Sequence, residues 1–113
     1  MIAVRIAVIG SRSLSVDDLG LYIPAETTHI ISGGARGIDT CARKYARLKG
    51  ILYSEYLPDY QKFGRIAPII RNDIIIDNSD IVIIFWDGKS RGTSYVIKSC
   101  IRKKIPHRIY MPI

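Results

Sequence analysis

The chain has 113 residues, of which 48% are hydrophobic, and 17 lysines and arginines against 10 aspartates and glutamates give a net charge of +7. This length and composition favour one globular domain over residues 1–113 and exclude an intrinsically disordered chain. No apolar run is long enough to span a bilayer, and the first residues lack a basic leader and a cleavage site, so we expect a cytoplasmic protein without a membrane partner. Two isolated cysteines are too few for a disulfide framework or a metal site, whereas the positive charge suits the phosphates of nucleotides or nucleic acid.

Short apolar runs alternate with stretches of helical periodicity along the chain. The run 80–86 is apolar at nearly every position, which is typical of a parallel strand that is covered on both faces. In chain order, the pattern predicts a strand over 2–9, a short helix from Ser15 or Asp17 to Pro24, a strand over 28–32, a helix over 36–48, a strand over 51–57, a loop over 58–65, a helix over 66–77, a strand over 80–86, a helix over 93–103 and a strand over 107–111.

This alternation predicts the fold class, which is α/β: a single Rossmann-like three-layer domain with a mainly parallel five-stranded sheet. In such a sheet, ligands bind outside the carboxyl ends of the strands. Three glycine-bearing segments follow predicted strands: "GSRS" at 10–13, "SGGARG" at 32–37 and "DGKSRGT" at 87–93. We therefore expect the fold to bring these three segments to one rim.

The second and third segments have the form of a phosphate cradle. Each places glycines before a predicted helix, whose first turn carries free N–H groups and partial positive charge. Glycine also lets the backbone approach an anion closely. The alternative is that these glycines only make tight turns between a strand and a helix. Neither segment is a Walker motif or a strict G-x-G-x-x-G motif.

Five further side chains near these loops are candidate ligand contacts. Asp39 suits a ribose hydroxyl or the role of a general base, or it is only a favourable acid in a first helical turn. Asp87 suits a ribose hydroxyl or an amine, and Trp86 either stacks on a base or packs at the rim of the core. Arg71 and Asn72 lie in the middle of a predicted helix, where an arginine is usually solvated.

Three motifs, "ISGGARGIDTCARKYA", "FGRIAPIIRND" and "IIFWDGKSRGTSYVI", occur in this order, and the resemblance that they carry extends over nearly the whole chain. Together they resemble the small YspA/YpsA-like members of the SLOG superfamily. That group includes the LOG nucleotide phosphoribohydrolases, the DNA-processing protein DprA and sensor domains for NAD-derived signals. The resemblance implies a Rossmann-like fold that binds a nucleotide or a nucleotide-derived ligand.

The resemblance carries over residue by residue at two glycine loops and one arginine. It matches Arg71 to the family's arginine in the helix before the central strand. The loop positions that match are Gly33, Gly34, Arg36 and Gly37 in the first loop, and Gly88, Ser90, Arg91, Gly92 and Thr93 in the second, phosphate-binding loop.

The chain departs from both enzymatic and DNA-binding relatives at identifiable places. LOG enzymes have a catalytic glutamate three residues after the threonine of the second loop, and this chain has Val96 there. The resemblance therefore does not carry phosphoribohydrolase activity over. The segment "SGGARGID" resembles DprA, which binds single-stranded DNA, but the loop "FWDGKSRGT" points away from that protein.

These observations favour a binding domain for a nucleotide-like ligand, such as one derived from NAD or ADP-ribose, that acts in sensing or sequestration. One alternative is a hydrolase of an N-glycosidic or phosphoester bond, with Asp39 or Asp87 as its acid or base. Another is a DprA-like nucleic-acid binder, and a homo-oligomer is left open. No cofactor is assigned beyond the ligand. The expected ligand contacts are Gly10, Ser11, Arg12, Ser32, Gly33, Gly34, Arg36, Gly37, Asp39, Arg71, Asn72, Trp86, Asp87, Gly88, Ser90, Arg91, Gly92 and Thr93.

Overall fold

The computed structural model describes residues 2–111. Strands and helices alternate as expected, and all neighbouring strands are parallel in the order β3-β2-β1-β4-β5. The α/β class with a five-stranded parallel sheet is therefore confirmed. The elements are β1 (Arg5–Gly10), a 3-10 turn (Leu19–Leu21), β2 (His29–Ser32), α1 (Ile38–Lys49), β3 (Leu52–Glu55), α2 (Tyr60–Phe63), a second 3-10 turn (Gly64–Ile66), α3 (Ala67–Asp77), β4 (Ile81–Phe85), α4 (Arg91–Lys103) and β5 (His107–Tyr110).

The sheet has a topological switch point beside its central strand. From β1 the chain adds β2 and then β3 on one side, and it then crosses over to add β4 and β5 on the other side. The loops that leave β1 and β4 therefore diverge at the carboxyl edge. A crevice at such a point is the usual ligand site of an open parallel sheet.

The two faces of the sheet are covered by different helices, which gives three layers. On one face, Ile6 and Val8 of β1 pack in a core cluster with Ile38 and Ala42 of α1. On the other face, residues from α3 and α4 pack against the alternate strand residues, in a cluster that holds Ala7, Ile9, Ile75, Val96 and Cys100. Because successive strand residues point to opposite faces, β1 contributes to both clusters.

Two regions differ from the prediction. The helix expected from Ser15 or Asp17 to Pro24 is wrong, since the structure has only a 3-10 turn over Leu19–Leu21. Asp18 caps this turn by accepting a hydrogen bond from the Gly20 N–H. A glycine within so short a segment opposes a longer helix.

The loop expected over 58–65 is also wrong in part, because it contains α2 and the turn Gly64–Ile66. Asp59 caps α2 through a hydrogen bond from the Lys62 N–H. The strands are shorter than predicted at most ends, and α4 begins two residues early because Ser90 caps it. Within residues 2–111, no helix is both long and apolar enough to cross a membrane.

Candidate functional site

The carboxyl edge of the sheet opens onto a cavity of about 420 Å³ at the switch point. The loops after β1, β2 and β4 contribute to its wall, together with the first turn of α1, the first three turns of α3 and the first turn of α4. Ten of the residues expected from the sequence line this cavity: Gly10, Arg12, Gly33, Asp39, Arg71, Asn72, Asp87, Ser90, Gly92 and Thr93.

Sequence reasoning missed five of the lining residues, which are Ile9, Ser13, Ala35, Pro68 and Ile75. Three of them had a usable signal. Pro68 and Ile75 stand three residues before and four residues after Arg71, so the helical period places all three on one face of α3. Ser13 ends the segment "GSRS", whose other members were already candidates.

The first glycine loop brings the start of α1 against the loop after β1. Gly37 has a φ of 74°, and a Cβ atom on it would lie 2.6 Å from the carbonyl oxygen of Arg12. Only glycine fits this backbone and this contact. Gly37 is also the N-cap of α1, and no side chain within residues 2–111 caps that helix. The first turn of α1 therefore lacks the side-chain acceptor that usually caps a helix.

Arg71 holds the end of this loop in place. Its Nη1 donates to the carbonyl oxygens of Gly33 (2.7 Å) and Tyr56 (3.2 Å), and its Nε donates to Oδ1 of Asn72 (2.7 Å). Burial lowers the pKa of Arg71, although the guanidinium remains charged. Arg71 is thus not a solvated helix residue, because it links the ends of β2 and β3 while it lines the cavity.

Asp39 is the least satisfied polar residue of the cavity wall. It is only 5% exposed, and its Oδ2 accepts a hydrogen bond from the Ala35 N–H at 3.1 Å. Its Oδ1 is buried and has no hydrogen-bond partner within residues 2–111. Burial raises the pKa of Asp39, and the Ala35 N–H and the charge of Arg71 oppose this rise only in part.

Asp87 organises the second glycine loop. Its Oδ1 accepts hydrogen bonds from the N–H groups of Lys89 and Ser90, both at 2.8 Å, and its Oδ2 accepts one from Ser13 Oγ at 2.9 Å. These hydrogen bonds lower the pKa of Asp87 to about 2. Its N–H donates to Ser11 Oγ. Asp87 therefore joins the loops after β1 and β4, and a carboxylate of this kind is a weak base.

The first turn of α4 presents backbone and hydroxyl groups to the cavity. Ser90 Oγ accepts a hydrogen bond from the Thr93 N–H at 3.4 Å and donates one to Thr93 Oγ1 at 3.2 Å. Gly92 does not adopt a left-handed φ, and a Cβ atom on it would have no neighbour among residues 2–111 within 4 Å. Neither backbone conformation nor packing within the chain explains a glycine here.

The other expected contacts lie outside the cavity lining. The Trp86 Nε1–H donates to the carbonyl oxygen of Ser90 at 3.1 Å, and its ring packs against the core cluster under α3 and α4, so the structure favours core packing over base stacking. Ser11 is buried beneath the site, as is Ser32, whose hydroxyl donates to the carbonyl oxygen of Val8. The remaining expected residues that do not line the cavity are Gly34, Arg36, Gly37, Gly88 and Arg91.

The site combines two guanidinium groups with the first turns of two helices, and the described range holds no group of histidine, cysteine and carboxylate side chains suited to a metal ion. Such a site suits an anion with polar groups attached. Comparisons of the chain with models of known protein families, with curated proteins and with solved structures found no significant match.

Proposed function

We propose that the protein binds a nucleotide or nucleotide-derived ligand in this cavity, that it acts in the cytoplasm, and that its role is sensing or sequestration. The SLOG resemblance of the three motifs supports a ligand of this class. In this proposal the anionic group of the ligand binds at the first turn of α4, and polar groups of the ligand reach toward the first glycine loop.

The observation that carries the proposal is the position of Gly92. It lies in the first turn of a helix, where glycine is less favourable than alanine, it lines the cavity, and a Cβ atom on it would meet no described atom within 4 Å. A glycine at a helix N-terminus permits an anion to approach the free N–H groups closely. The uncapped first turn of α1 at the same cavity supports a second polar contact.

A second candidate is a hydrolase, and Asp39 is the residue that favours it. A carboxyl group whose pKa is raised by burial in the wall of a cavity suits a general acid or base. Asp87 is the weaker candidate because its pKa is about 2 and both of its oxygens accept hydrogen bonds. The LOG-type glutamate position does not supply the acid, since Val96 is buried in the core.

The test compares two variants that each add one carboxylate to the first turn of α4. Gly92→Asp places the charge in the cavity, whereas Ser94→Asp places it on a residue that does not line the cavity. An acid in a first helical turn is favourable for the helix, so both variants should fold. Isothermal titration calorimetry with AMP and ADP-ribose should show binding to the wild type and to Ser94→Asp, and none to Gly92→Asp.

Two results would contradict the proposal: no binding of either nucleotide to the wild type, or equal affinity in Gly92→Asp and the wild type. Chromatography of the same mixtures separates the second candidate from the first. Release of free adenine or of a cleaved phosphate would make the protein a hydrolase. Binding of single-stranded DNA without base preference and with a steep loss of affinity in salt would instead favour a nucleic-acid binder.

A further inference from the structure

Asp39 puts an acidic group into the wall of a cavity that otherwise suits an anion. The residue is only 5% exposed, lines the cavity, and has one oxygen with no hydrogen-bond partner within residues 2–111. A buried carboxylate that lacks full hydrogen bonding is costly in its ionised form. An anion bound elsewhere in the same cavity, at the first turn of α4, adds Coulomb repulsion to that cost.

The surrounding charges only partly offset this cost. Arg71 faces Asp39 from α3, and a Cβ atom on Gly33 would lie within 3.0 Å of both side chains. However, the two side chains form no ion pair within 4.0 Å in the described structure, because the guanidinium is directed to the carbonyl oxygens of Gly33 and Tyr56. Arg71 thus attracts the Asp39 carboxylate without a direct hydrogen bond.

The other titratable groups around Asp39 are poor candidates for taking up a proton when an anion binds. Tyr53 faces it from β3, and burial together with the Glu55 carboxylate raises the pKa of that phenol above its usual range. Arg12 and Asp87 line the same cavity, and Asp87 titrates at about pH 2. Asp39 is therefore the cavity residue whose charge state is open to change when an anion binds.

We infer that the cavity takes its anionic ligand together with one proton from solvent, which the Asp39 carboxyl holds. This inference rests on the proposed function, and it adds that the affinity for the anion depends on pH. When Asp39 is protonated, the repulsion between the carboxylate and the anion disappears, so binding is tighter. The protonation state of Asp39 thus sets the affinity of the site for the anion.

The test measures proton uptake directly with ADP-ribose as the probe. Its diphosphate lacks the second ionisation that a phosphate monoester has near pH 6, so the probe itself stays at constant charge. Calorimetry at one pH in buffers of different ionisation enthalpy should show net proton uptake by the wild type. Its affinity should fall roughly tenfold as pH rises from about 5 through the raised pKa of Asp39 to about 8.5, which is the order of effect expected of one buried charge in the same cavity as the anion.

Two variants assign the proton to Asp39. Asp39→Asn keeps an oxygen that can accept from the Ala35 N–H, and it should abolish both the proton uptake and the pH dependence. Asp17→Asn removes the same charge from an exposed residue that does not line this cavity, and it should behave as the wild type does. If Asp39→Asn is unstable, the net proton uptake of the wild type on binding ADP-ribose still tests the inference by itself.

Each outcome has a distinct meaning. Binding of ADP-ribose to the wild type with no proton uptake and constant affinity would overturn this inference and leave the proposed function standing. Proton uptake that persists in a folded Asp39→Asn variant would also overturn it. If ADP-ribose fails to bind the wild type at any pH in this range, the proposed function fails and the inference fails with it.

Discussion

Replacing Gly92 with alanine should make the protein more stable and a poorer binder. The residue lies in the first turn of α4, its φ is not left-handed, and the added Cβ would meet no atom of residues 2–111 within 4 Å. Alanine is favoured over glycine in a helix by about 0.5–1 kcal/mol, partly through the lower entropy of the unfolded chain. For a domain of this size, that gain corresponds to a rise in melting temperature of about 2–5 °C.

The same methyl group should weaken binding, because it occupies space that the ligand needs beside the helix N-terminus. A clash of this kind costs about 1–3 kcal/mol, so we expect the affinity for AMP or ADP-ribose to fall by roughly 5- to 150-fold. The measurements are thermal unfolding followed by circular dichroism without ligand, and calorimetry with it.

Gly50→Ala is the matched control for this prediction. A Cβ on Gly50 would also meet no described atom within 4 Å, but Gly50 ends α1 with a φ of 66° and does not line the cavity. Alanine in that left-handed conformation should cost about 1–2 kcal/mol of stability and leave the affinity unchanged. The reasoning is refuted if Gly92→Ala destabilises the protein, or if it stabilises the protein while binding stays at the wild-type level.

Further predictions concern the groups that hold the loops. Gly33→Ala should lower the free energy of unfolding by about 1–3 kcal/mol, because its Cβ would lie 2.7 Å from Arg71 Nη1 and displace that group from its hydrogen bonds. A melting temperature equal to that of the wild type would argue against the role of Arg71 in holding the loop. Arg71→Ala should lower the free energy of unfolding by a similar amount and weaken binding, because it leaves the carbonyl oxygens of Gly33 and Tyr56 without their donor. A loss of affinity with no loss of stability would mean that Arg71 only contacts the ligand and does not hold the loop. Asp39→Asn should raise the melting temperature at pH 8, and the gain should shrink as pH falls. Because its Asp39 pKa is raised, the folded state binds more protons than the unfolded state, so wild-type stability falls as pH rises through that pKa. A rise in melting temperature that is the same at every pH would contradict the raised pKa of Asp39. Asp87→Ala should lower the melting temperature at pH 7 and have little effect near pH 2. Because the pKa of Asp87 is lowered in the folded state, the unfolded state binds more protons. The stability that Asp87 contributes is therefore present above about pH 4 and is lost as pH falls through about 2. An unchanged melting temperature of Asp87→Ala at pH 7 would exclude the role of Asp87 in joining the loops.

Much of the architecture was predictable because it depends on repeated patterns. Five apolar runs separated by helical periodicity predicted the parallel sheet and its two covered faces, and the rule for parallel sheets placed three glycine segments at one rim. The short turn over Leu19–Leu21 and the helix Tyr60–Phe63 were not predicted correctly. Both are single turns fixed by the caps Asp18 and Asp59, and one turn has too few residues to show a period.

The site was predictable in its location more than in the roles of its residues. Asp39 and Gly92 line the cavity as expected, but the sequence did not reveal that one oxygen of Asp39 lacks a partner or that Gly92 faces open space. Asp87 lines the cavity as expected, but its additional role in joining the loops after β1 and β4 was not predicted. Trp86 was a candidate for base stacking or core packing, and it packs against the core and donates a hydrogen bond to Ser90. Such roles depend on contacts between segments far apart in sequence, to which local patterns are insensitive.

Titration of the ¹⁵N-labelled protein with ADP-ribose, followed by amide chemical shifts, tests the central claim most directly. We predict saturable shifts at Gly92 and Thr93 of α4, at Asp39 of α1, and at Gly33, because these residues line the cavity. Shifts confined to the exposed basic residues of α1 (Arg43, Lys44, Arg47 and Lys49), or no shifts at all, would contradict a nucleotide site at the switch point of the sheet.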